Sequence, residues 1–349
     1  MSISSTPKEQ GFFFPAEWHP HRATWLSFPH TEASWTYERQ PKMLPAYLEF
    51  IKAISEGEKV CINAHNETVQ QTIKLHLLGA GIDLNQIELP LHATNDSWCR
   101  DHGPSILINP ETKKRLVVNW GYNAWGGKYP PFNHDDLIPV AIAHYLGLDY
   151  VTPGIIMEGG SVEFNGKWTL LTSRACLLNE NRNPHLNQAQ IEKYLCDYYG
   201  VEQILWIGDG IVGDDTDGHI DDTVRFVNED TVVAIVEENK SDDNYEILQE
   251  NIHELKQMRL LNGKQLNIVE LPMPTPLYSE DLRLPASYAN FYISNAAVIV
   301  PTFRCANDQK ALDILSQCFT DRKVIGIDST EIVWGLGSFH CLSQQEPLI

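Results

Sequence analysis

The stretch Asp217-Gly-His219-Ile-Asp221, with the two runs at 223–227 and 231–236 that follow it, holds the pattern from which the fold of this chain is predicted. It is a polar turn with one glycine and three titratable side chains. The two runs are rich in β-branched residues and are separated by a polar turn, so they predict a strand pair. The segment 243–260 has apolar residues at helical spacing. One unit therefore contains a polar turn, two strands and a helix.

The same kind of unit occurs five times along the chain. Polar turns around Asp101, Glu158, His219, Tyr288 and Cys341 are separated by 57, 61, 69 and 53 residues. Segments with helical spacing lie between them, at 135–146, 187–199, 243–260 and 308–319. A period of about 60 residues predicts stacked or circularly arranged modules that bring their turns to one place, as in a propeller. The alternative is a single irregular α/β sheet whose spacing is coincidental.

The two ends of the chain complete the predicted architecture. The first 90 residues follow the order strand, helix, strand, helix, strand. Residues 331–334 are expected to form a strand before the last turn, and residues 1–10 a flexible tail. The prediction is a single α/β domain over residues 1–349, in which 43% hydrophobic residues allow a sizeable core.

Composition limits the kinds of partner and the cell compartment. The formal net charge is −20, which disfavours nucleic acid and anionic membranes and attracts small cations, although solubility alone is an alternative explanation. No apolar run reaches the roughly 18 to 20 residues that span a bilayer, and we expect no secretory signal. Seven widely spaced cysteines fit neither a disulfide framework nor a zinc site, and they predict a reducing cytoplasm.

If the polar turns meet, they bring together five residues with a common chemistry. Cys341 near His219 suits nucleophilic catalysis, because the thiolate is the attacking form and a neighbouring cation favours it. Asp101 and Glu158 come from the first and second turns, and Asp221 lies two residues after His219. The predicted site therefore combines one thiol, one imidazole and three carboxylates.

In an extended strand, successive side chains point to opposite faces. This alternation predicts which sequence neighbours of the five residues also face the site. His219 and Asp221 share one face of an extended strand. By the same rule His340 points away from its neighbour Cys341. Arg100 and Asp222 are excluded in the same way.

The carboxylates indicate the charge of the substrate. Negative groups beside a thiol raise the thiol pKa, which is unfavourable in a protease. A planar guanidinium removes this difficulty, because it carries its own positive charge and its forked N–H groups match carboxylates. The carboxylates that bind the guanidinium would also place its central carbon within reach of the thiol. A turn aspartate alone is commonly a cap and a single cysteine is commonly inert, so the prediction depends on four repeats contributing complementary groups.

Seven motifs, in order, resemble those of the agmatine deiminase and bacterial-type peptidylarginine deiminase family of guanidino-group-modifying enzymes. They are Trp98-Cys-Arg-Asp-His-Gly-Pro104, Trp120-Gly-Tyr-Asn-Ala-Trp-Gly-Gly-Lys128, Glu158-Gly-Gly-Ser161, Asn179-Glu-Asn-Arg-Asn-Pro184, Asp215-Thr-Asp-Gly-His-Ile-Asp221, Pro285-Ala-Ser-Tyr-Ala-Asn-Phe-Tyr292 and His340-Cys-Leu-Ser-Gln-Gln345. The resemblance covers nearly the whole chain. The family fold is a five-bladed α/β-propeller, the pentein fold, with pseudo-fivefold symmetry, which agrees with the repeats.

The resemblance implies a role for each of the five residues. Cys341 is the nucleophile and His219 is the general acid/base. Asp101 and Asp221 clamp the guanidinium, and Glu158 orients or charges His219 and touches the guanidinium. The resemblance also implies that no metal and no organic cofactor is needed.

Two aromatic residues and two departures from the family pattern concern the path of the substrate. The resemblance places Trp98 and Trp125 along the substrate channel, with ordinary packing as the alternative. Leu336 interrupts a glycine run of the family, which reduces backbone freedom. His19 stands where agmatine deiminases often have glutamate, which leaves open how the distal end of the substrate is held.

These observations predict a deiminase that converts agmatine and water to N-carbamoylputrescine and ammonia through a thiouronium intermediate on Cys341. Peptidylarginine, free arginine and a methylarginine are alternative substrates, and an amidinotransferase would use the same intermediate. A non-catalytic propeller that binds cationic peptides or polyamines is the alternative from another class, and a cysteine protease is a third. The expected partner is a small cationic guanidino compound in the cytoplasm, and a homodimer is one option for the assembly.

Overall fold

Five β-sheets of three or four strands, with one additional two-stranded sheet, organise residues 5–349, which are the part of the chain that the computed structural model describes. Of the five, one sheet has four strands and the other four have three each. The N-terminal elements are β1 (His21–Ser27), α1 (Gln40–Ser55), β2 (Lys59–Asn63), α2 (Glu67–Gly79) and β3 (Ile87–Glu88). The first repeated unit contains α3 (Cys99–His102), β4 (Ser105–Asn109), β5 (Lys114–Val118), α4 (Ala124–Gly127), α5 (Ile138–Leu146) and β6 (Tyr150–Val151).

The remaining units follow the same plan. The second contains a 3₁₀ turn (Gly159–Ser161), β7 (Val162–Phe164), β8 (Thr169–Ser173), α6 (Arg174–Leu177), α7 (Gln188–Tyr199) and β9 (Gln203–Ile207). The third contains a 3₁₀ turn (Ile220–Asp222), β10 (Val224–Phe226), β11 (Thr231–Val236), α8 (Asn244–Gln257) and β12 (Asn267–Pro272), and is followed by the hairpin β13 (Tyr278–Ser279) and β14 (Leu282–Arg283). The last elements are β15 (Tyr292–Ile293), β16 (Ala297–Thr302), α9 (Asn307–Cys318), β17 (Lys323–Asp328), a 3₁₀ turn (Val333–Gly335), α10 (Phe339–Leu342) and β18 (Ser343–Pro347).

The three-stranded sheets share one topology. In each, the first strand pairs antiparallel with the second, and the second pairs parallel with the third. A parallel pair needs a crossover, and a helix supplies it in every unit. In the third unit, the buried residues Ile252 and Leu255 of α8 pack with Val232 and Ala234 of β11. These sheets confirm the predicted α/β class with repeated strand–helix units. The circular, five-bladed arrangement stays a prediction.

The fifth unit is assembled from both ends of the chain. Strand β18, which follows the turn of Cys341, pairs antiparallel with β1 from Leu26–Ser343 to His21–Pro347. Strand β1 then pairs parallel with β2, so this sheet repeats the topology of the others. The last turn is therefore anchored by the N-terminal strand, which explains how a buried turn can form so close to the end of the last strand.

Two expectations about local structure need revision. Residues 331–334 do not form a strand, since a 3₁₀ turn occupies Val333–Gly335 and the preceding strand is β17. Of the expected flexible tail, residues 1–4 lie outside the described residues. Within the remainder, Lys8 donates its backbone N–H to the carbonyl of Asp197 at 3.0 Å and its Nζ to the carbonyl of Val201 at 2.7 Å. This part of the expected tail thus contacts the folded chain.

The polar turns themselves are short helices, which overturns the alternation argument. His219 precedes the 3₁₀ turn that contains Asp221, and Cys341 lies within α10. On a helical turn, adjacent side chains are about 100° apart rather than on opposite faces. The exclusion of His340 and Asp222 therefore rested on a strand geometry that these turns do not have. Among the described residues, no helix has the length and apolar character needed to cross a membrane.

Candidate active site

One narrow pocket leads to Cys341 and Asp101. It is lined by Ala33, Ser34, Asp96, Trp98, Asp101, Trp125, Tyr129, Asp215, Thr216, Trp334, Gly335, Leu336, Gly337 and Cys341. The lining includes three carboxylates and four aromatic rings. Among the residues that the structure describes, neither lysine nor arginine lines the pocket. The pocket therefore favours a cation with an apolar stem.

The nucleophile candidate is held by groups from two other units. Cys341 is 5% exposed. Its thiol donates to Oδ2 of Asp221 at 3.6 Å, and Nδ2 of Asn290 donates to its Sγ at 3.0 Å. Oδ1 of Asn290 accepts from the backbone N–H groups of His340 and Cys341, at 3.1 and 3.3 Å. Asn290 thus fixes the turn that carries the thiol.

His219 lies among the three predicted carboxylates. Its Nδ1 is 3.7 Å from Oδ1 of Asp101 and 4.0 Å from Oδ1 of Asp221, while its Nε2 is 4.0 Å from Oε2 of Glu158. The side chains of His219, Asp221 and Glu158 are fully buried. The structure therefore brings together all five residues that the sequence predicted.

Several atoms of this cluster have no hydrogen-bond partner among the described residues. They include Oδ1 of Asp221, Oε2 of Glu158 and both ring nitrogens of His219. A buried acceptor without a donor costs about 1–3 kcal/mol, and more when it is charged. Two unpaired carboxylate oxygens in the cluster that contains His219 fit a ligand that brings several N–H donors, as a guanidinium does.

Asp101 is oriented by two donors. Its Oδ1 accepts from the backbone N–H of Gly160 at 3.0 Å, and its Oδ2 accepts from Nε1 of Trp125 at 3.0 Å. A Cβ on Gly160 would lie 2.6 Å from Nδ1 of His219 and 2.8 Å from Oδ1 of Asp101. Gly160 is therefore required for the close approach of the second turn to the first and third.

The charges of the cluster change the pKa values of its members. Burial raises the pKa of the Cys341 thiol well above its usual value, and Asp221, Asp222 and Asp101 raise it further. Burial lowers the pKa of His219, but the charge of Asp101 above all offsets burial and holds this pKa well above its usual value. In the free protein the thiol is protonated and the imidazole is charged. A bound cation would therefore favour the thiolate.

The two predicted tryptophans both line the pocket. Trp125 donates to Asp101, and Trp98 donates its Nε1 to Oγ of Ser34 at 2.8 Å. A Cβ on Gly337 would lie 2.5 Å from the ring of Trp98, so a glycine is needed beside this ring. Leu336 adopts φ 70°, a left-handed conformation that favours glycine. The interruption of the glycine run thus places a leucine in strained backbone at the pocket wall.

His19 lies elsewhere. Its ring forms a hydrogen bond near the end of the chain, where Nε2 is 2.8 Å from the carbonyl of Leu348. It does not line the pocket that contains Cys341. The departure from the family pattern at His19 therefore does not bear on this pocket.

Sequence reasoning missed Arg182 and Asn290. Nε of Arg182 donates to Oε1 of Glu158 at 2.6 Å, and its Nη1 donates to Oδ2 of Asp217 at 2.6 Å. Both residues lie inside the seven motifs, so their polarity was a usable signal. The fourth turn contributes Asn290 to the site, whereas Tyr288 donates to Asp308 away from it.

Sequence reasoning also missed Glu17 and wrongly discounted His340. Nδ1 of His340 is 2.7 Å from Oδ2 of Asp221, and its Nε2 is 2.7 Å from Oε2 of Glu17. Arg100 and Arg225 also contact Glu17, each at 3.0 Å. No local pattern links Glu17 to the last turn, because the contact spans 323 residues.

Two buried groups combine donor types found in metal sites, with all their donor atoms within 4.8 Å of one another. They are Glu158, Cys176 and His219, and Asp221, Asp222 and Cys341. Arg182 already donates to Glu158, and the second group includes the thiol that faces the clamp. We interpret both groups as parts of a site for an organic cation. That the protein needs no metal and no cofactor stays a prediction.

Comparisons with known proteins identify relatives over the whole length. A Legionella pneumophila protein, named provisionally as an agmatine deiminase, is 37% identical over 350 residues, covering 99% of this chain and 98% of that protein. The structure is similar to the agmatine deiminase of Enterococcus faecalis, with a TM-score of 0.91, 33% identity and coverage of 99% and 98%. It is also similar to a substrate-bound cysteine-to-serine variant of the C. jejuni agmatine deiminase, with a TM-score of 0.87, 34% identity and 96% coverage of each chain.

These relatives confirm the resemblance that the motifs indicated and the fold class that it implied. The family match leaves out only the first 12 and the last two residues of the chain. Over residues 13–347, the chain belongs to the Porphyromonas-type peptidyl-arginine deiminase family.

Proposed function

We propose that this protein hydrolyses agmatine to N-carbamoylputrescine and ammonia. The observation that carries the proposal is the meeting of Cys341 and His219 with unpartnered oxygens of Asp221 and Glu158 in one buried cluster. This arrangement suits a planar cation whose carbon must meet a thiol. The relatives named agmatine deiminases from E. faecalis and C. jejuni support the choice of substrate.

The first chemical step forms the thiouronium. As the guanidinium binds between Asp101 and Asp221, its charge offsets the carboxylates and the thiol of Cys341 loses its proton to solvent. The thiolate attacks the guanidinium carbon and forms the C–S bond. The His219 imidazolium then gives its proton to one terminal nitrogen, the C–N bond breaks, and ammonia leaves.

The second step consumes one water. Neutral His219 takes a proton from the water, whose oxygen attacks the thiouronium carbon. The C–S bond breaks and Cys341 leaves as thiolate, the second proton of the water passes to solvent, and the neutral ureido product is released. Glu158, held by Arg182 at 2.6 Å, stays beside the imidazole through both steps.

The outer pocket supports a substrate with a second cation. Asp96 and Asp215 line it, with no lysine or arginine among the described lining residues. Burial raises the pKa of Asp96 to about 6, so its carboxylate is ionised at neutral pH. The distal ammonium of agmatine would lie near these carboxylates, whereas free arginine would bring a carboxylate to the same place. Peptidylarginine stays an alternative substrate, and ammonia release from a blocked arginine peptide distinguishes it from agmatine.

We further propose a single domain over residues 1–349, supported by the pairing of β18 with β1. A cytoplasmic location is supported by seven free cysteines. A homodimer is one option for the assembly.

Ammonia release from agmatine, free arginine and a blocked arginine peptide tests the proposal. We expect agmatine to be preferred in kcat/KM by roughly 100-fold or more, because the other two leave the outer carboxylates without a cation. Product must form without any added amine, which separates hydrolysis from amidino transfer. Binding of agmatine without ammonia release would overturn the proposal in favour of a binding protein.

A further inference from the structure

His340 lies behind the clamp and contacts two carboxylates at once. It is 1% exposed, with Nδ1 2.7 Å from Oδ2 of Asp221 and Nε2 2.7 Å from Oε2 of Glu17. A neutral imidazole has one N–H donor and one lone pair. With both carboxylates ionised, only an imidazolium can donate to both.

Glu17 is held in its ionised form by donors other than His340. Arg100 and Arg225 each contact it at 3.0 Å, and the backbone N–H of Ile293 donates to it at 2.8 Å. Burial raises the pKa of Glu17, but Arg225, His340 and Arg100 together offset burial and hold this pKa well below its usual value. Three donors other than His340 thus favour an ionised Glu17 as the acceptor that faces Nε2 of His340.

Asp221 is the second carboxylate that accepts from His340, and it is also one arm of the proposed guanidinium clamp. It lies among Asp101, Asp222 and the thiol of Cys341, where repulsion between carboxylates favours protonating one of them. Burial raises the pKa of Asp221, but the hydrogen bond and charge of His340 offset it and lower this pKa. Burial and the charge of Asp221 raise the pKa of the adjacent Asp222 well above its usual value. Of these two carboxylates, Asp221 is therefore the one whose surroundings favour the ionised form.

Two arginines, Arg100 and Arg225, also lie near His340. Arg100 donates its Nε to the carbonyl of His340 at 3.3 Å, and Arg225 is paired with Glu163 as well as with Glu17. These cations come from α3 and β10, and both face Glu17 rather than Asp221. Among the described residues, His340 is the cation in direct hydrogen bond with Asp221.

We propose that His340 is a positioning residue whose buried imidazolium keeps Asp221 ionised and oriented to receive the guanidinium. This inference rests on the proposed function, since it names the group that prepares one arm of the clamp. His340 does not touch the reacting carbon. It acts through Asp221, and Glu17 with its two arginines keeps His340 charged and in place.

The protonation state of His340 tests the proposal without any reference to turnover. Protein labelled with ¹⁵N-histidine is examined by NMR from about pH 6 to about pH 8.5, where an ordinary histidine loses its charge. We expect both ring nitrogens of His340 to stay protonated throughout. The signals are assigned by their loss in His340→Gln or, should that variant not fold, by their shift in Glu17→Gln. One unprotonated nitrogen in this range would overturn the proposal.

Agmatine binding to the Cys341→Ser variant gives the second test. Adding His340→Gln should weaken binding by about 10-fold at neutral pH, because a charge-assisted hydrogen bond to Asp221 is lost. The pH below which binding disappears should also move upward, since Asp221 then protonates more easily. An unchanged pH dependence would contradict the proposal.

His102 offers a matched control. It is also 1% exposed and lies in the equivalent short helix α3, but its Nε2 meets the neutral Oγ of Ser27 at 2.9 Å. Burial lowers the pKa of His102 to about 3, so it is neutral. In the Cys341→Ser background, His102→Gln should leave the pH dependence of binding unchanged.

The two proposals can fail separately. Absence of ammonia release by the wild type would overturn the proposed function alone, and the NMR result would still decide the role of His340.

Discussion

The side-chain amide of Asn290 donates a hydrogen bond to Sγ of Cys341 at 3.0 Å across 51 residues of chain. The same side chain accepts from the backbone N–H groups of His340 and Cys341. The proposed nucleophile is therefore positioned by the polar turn that begins the fourth unit. A neutral donor at the sulfur also favours the thiolate without adding charge.

Replacement of Asn290 tests this positioning. Asn290→Ala should lower kcat for agmatine by about 10- to 100-fold with a smaller change in KM, because the thiol and its turn lose three hydrogen bonds. Asn290→Asp should be at least as damaging, since a further negative charge raises the thiol pKa. Steady-state kinetics measure both variants, and circular dichroism checks the fold. A change confined to KM would contradict a role at the nucleophile.

Gly160 has no room for a side chain. Gly160→Ala should reduce kcat/KM by about 100-fold or more, because its Cβ would displace His219 or Asp101 from positions 2.6 and 2.8 Å away. Gly79→Ala is the control, since a Cβ at Gly79 meets nothing within 4 Å. Both variants are assayed beside the wild type. Wild-type kinetics in Gly160→Ala would show that the second turn does not pack as described.

Trp125 contributes a hydrogen bond to the clamp as well as a ring. Trp125→Phe keeps an aromatic ring but removes the N–H that donates to Oδ2 of Asp101. We expect KM for agmatine to rise by about 10-fold, the usual effect of losing a hydrogen bond to a charged group. Trp168→Phe is a close control, because Trp168 also has positive φ but is 43% exposed. Equal effects of the two changes would contradict the assignment.

The pH dependence of kcat/KM should show an acid limb with a midpoint near pH 6. Burial raises the pKa of Asp101 to about 6, so below this pH its neutral form dominates and cannot clamp a cation. Activity should fall by about 10-fold per pH unit below the midpoint. Measurements between about pH 4.5 and about pH 8 test this, with thermal melting in each buffer to exclude unfolding. An acid limb near about pH 4, the value of an ordinary aspartate, would contradict a raised Asp101 pKa.

The protonated thiol of Cys341 should discriminate electrophiles by charge. Chloroacetamidine carries an amidinium, whereas the similarly shaped chloroacetamide is neutral. We expect alkylation of Cys341 by the cation to be at least about 10-fold faster, because its charge offsets the carboxylates that raise the thiol pKa. Mass spectrometry follows all seven cysteines, and the six others are internal controls. Equal rates at Cys341 would contradict a site built for a cation.

Much of the site could be predicted from the sequence because the repeats fix its composition. Turns spaced by about 60 residues each contribute a polar group, so Asp101, Glu158, His219, Asp221 and Cys341 were all identified. The backbone form of the turns was not predictable from periodicity, since helices of about four residues are too short to show a period. Treating them as strands led directly to the exclusion of His340.

The sequence by itself determined the order of the units, the α/β class and the residue types that the turns contribute to the cluster, because these follow from local patterning and residue chemistry. Only the tertiary structure decided which groups are charged. Asp221 and Asp222 are neighbours in sequence, yet His340, which Glu17 contacts, outweighs burial and lowers the pKa of the first, while burial raises the pKa of the second. The physical reason is that desolvation and Coulomb energies depend on distances in space, and these partners lie 119 and 323 residues apart along the chain.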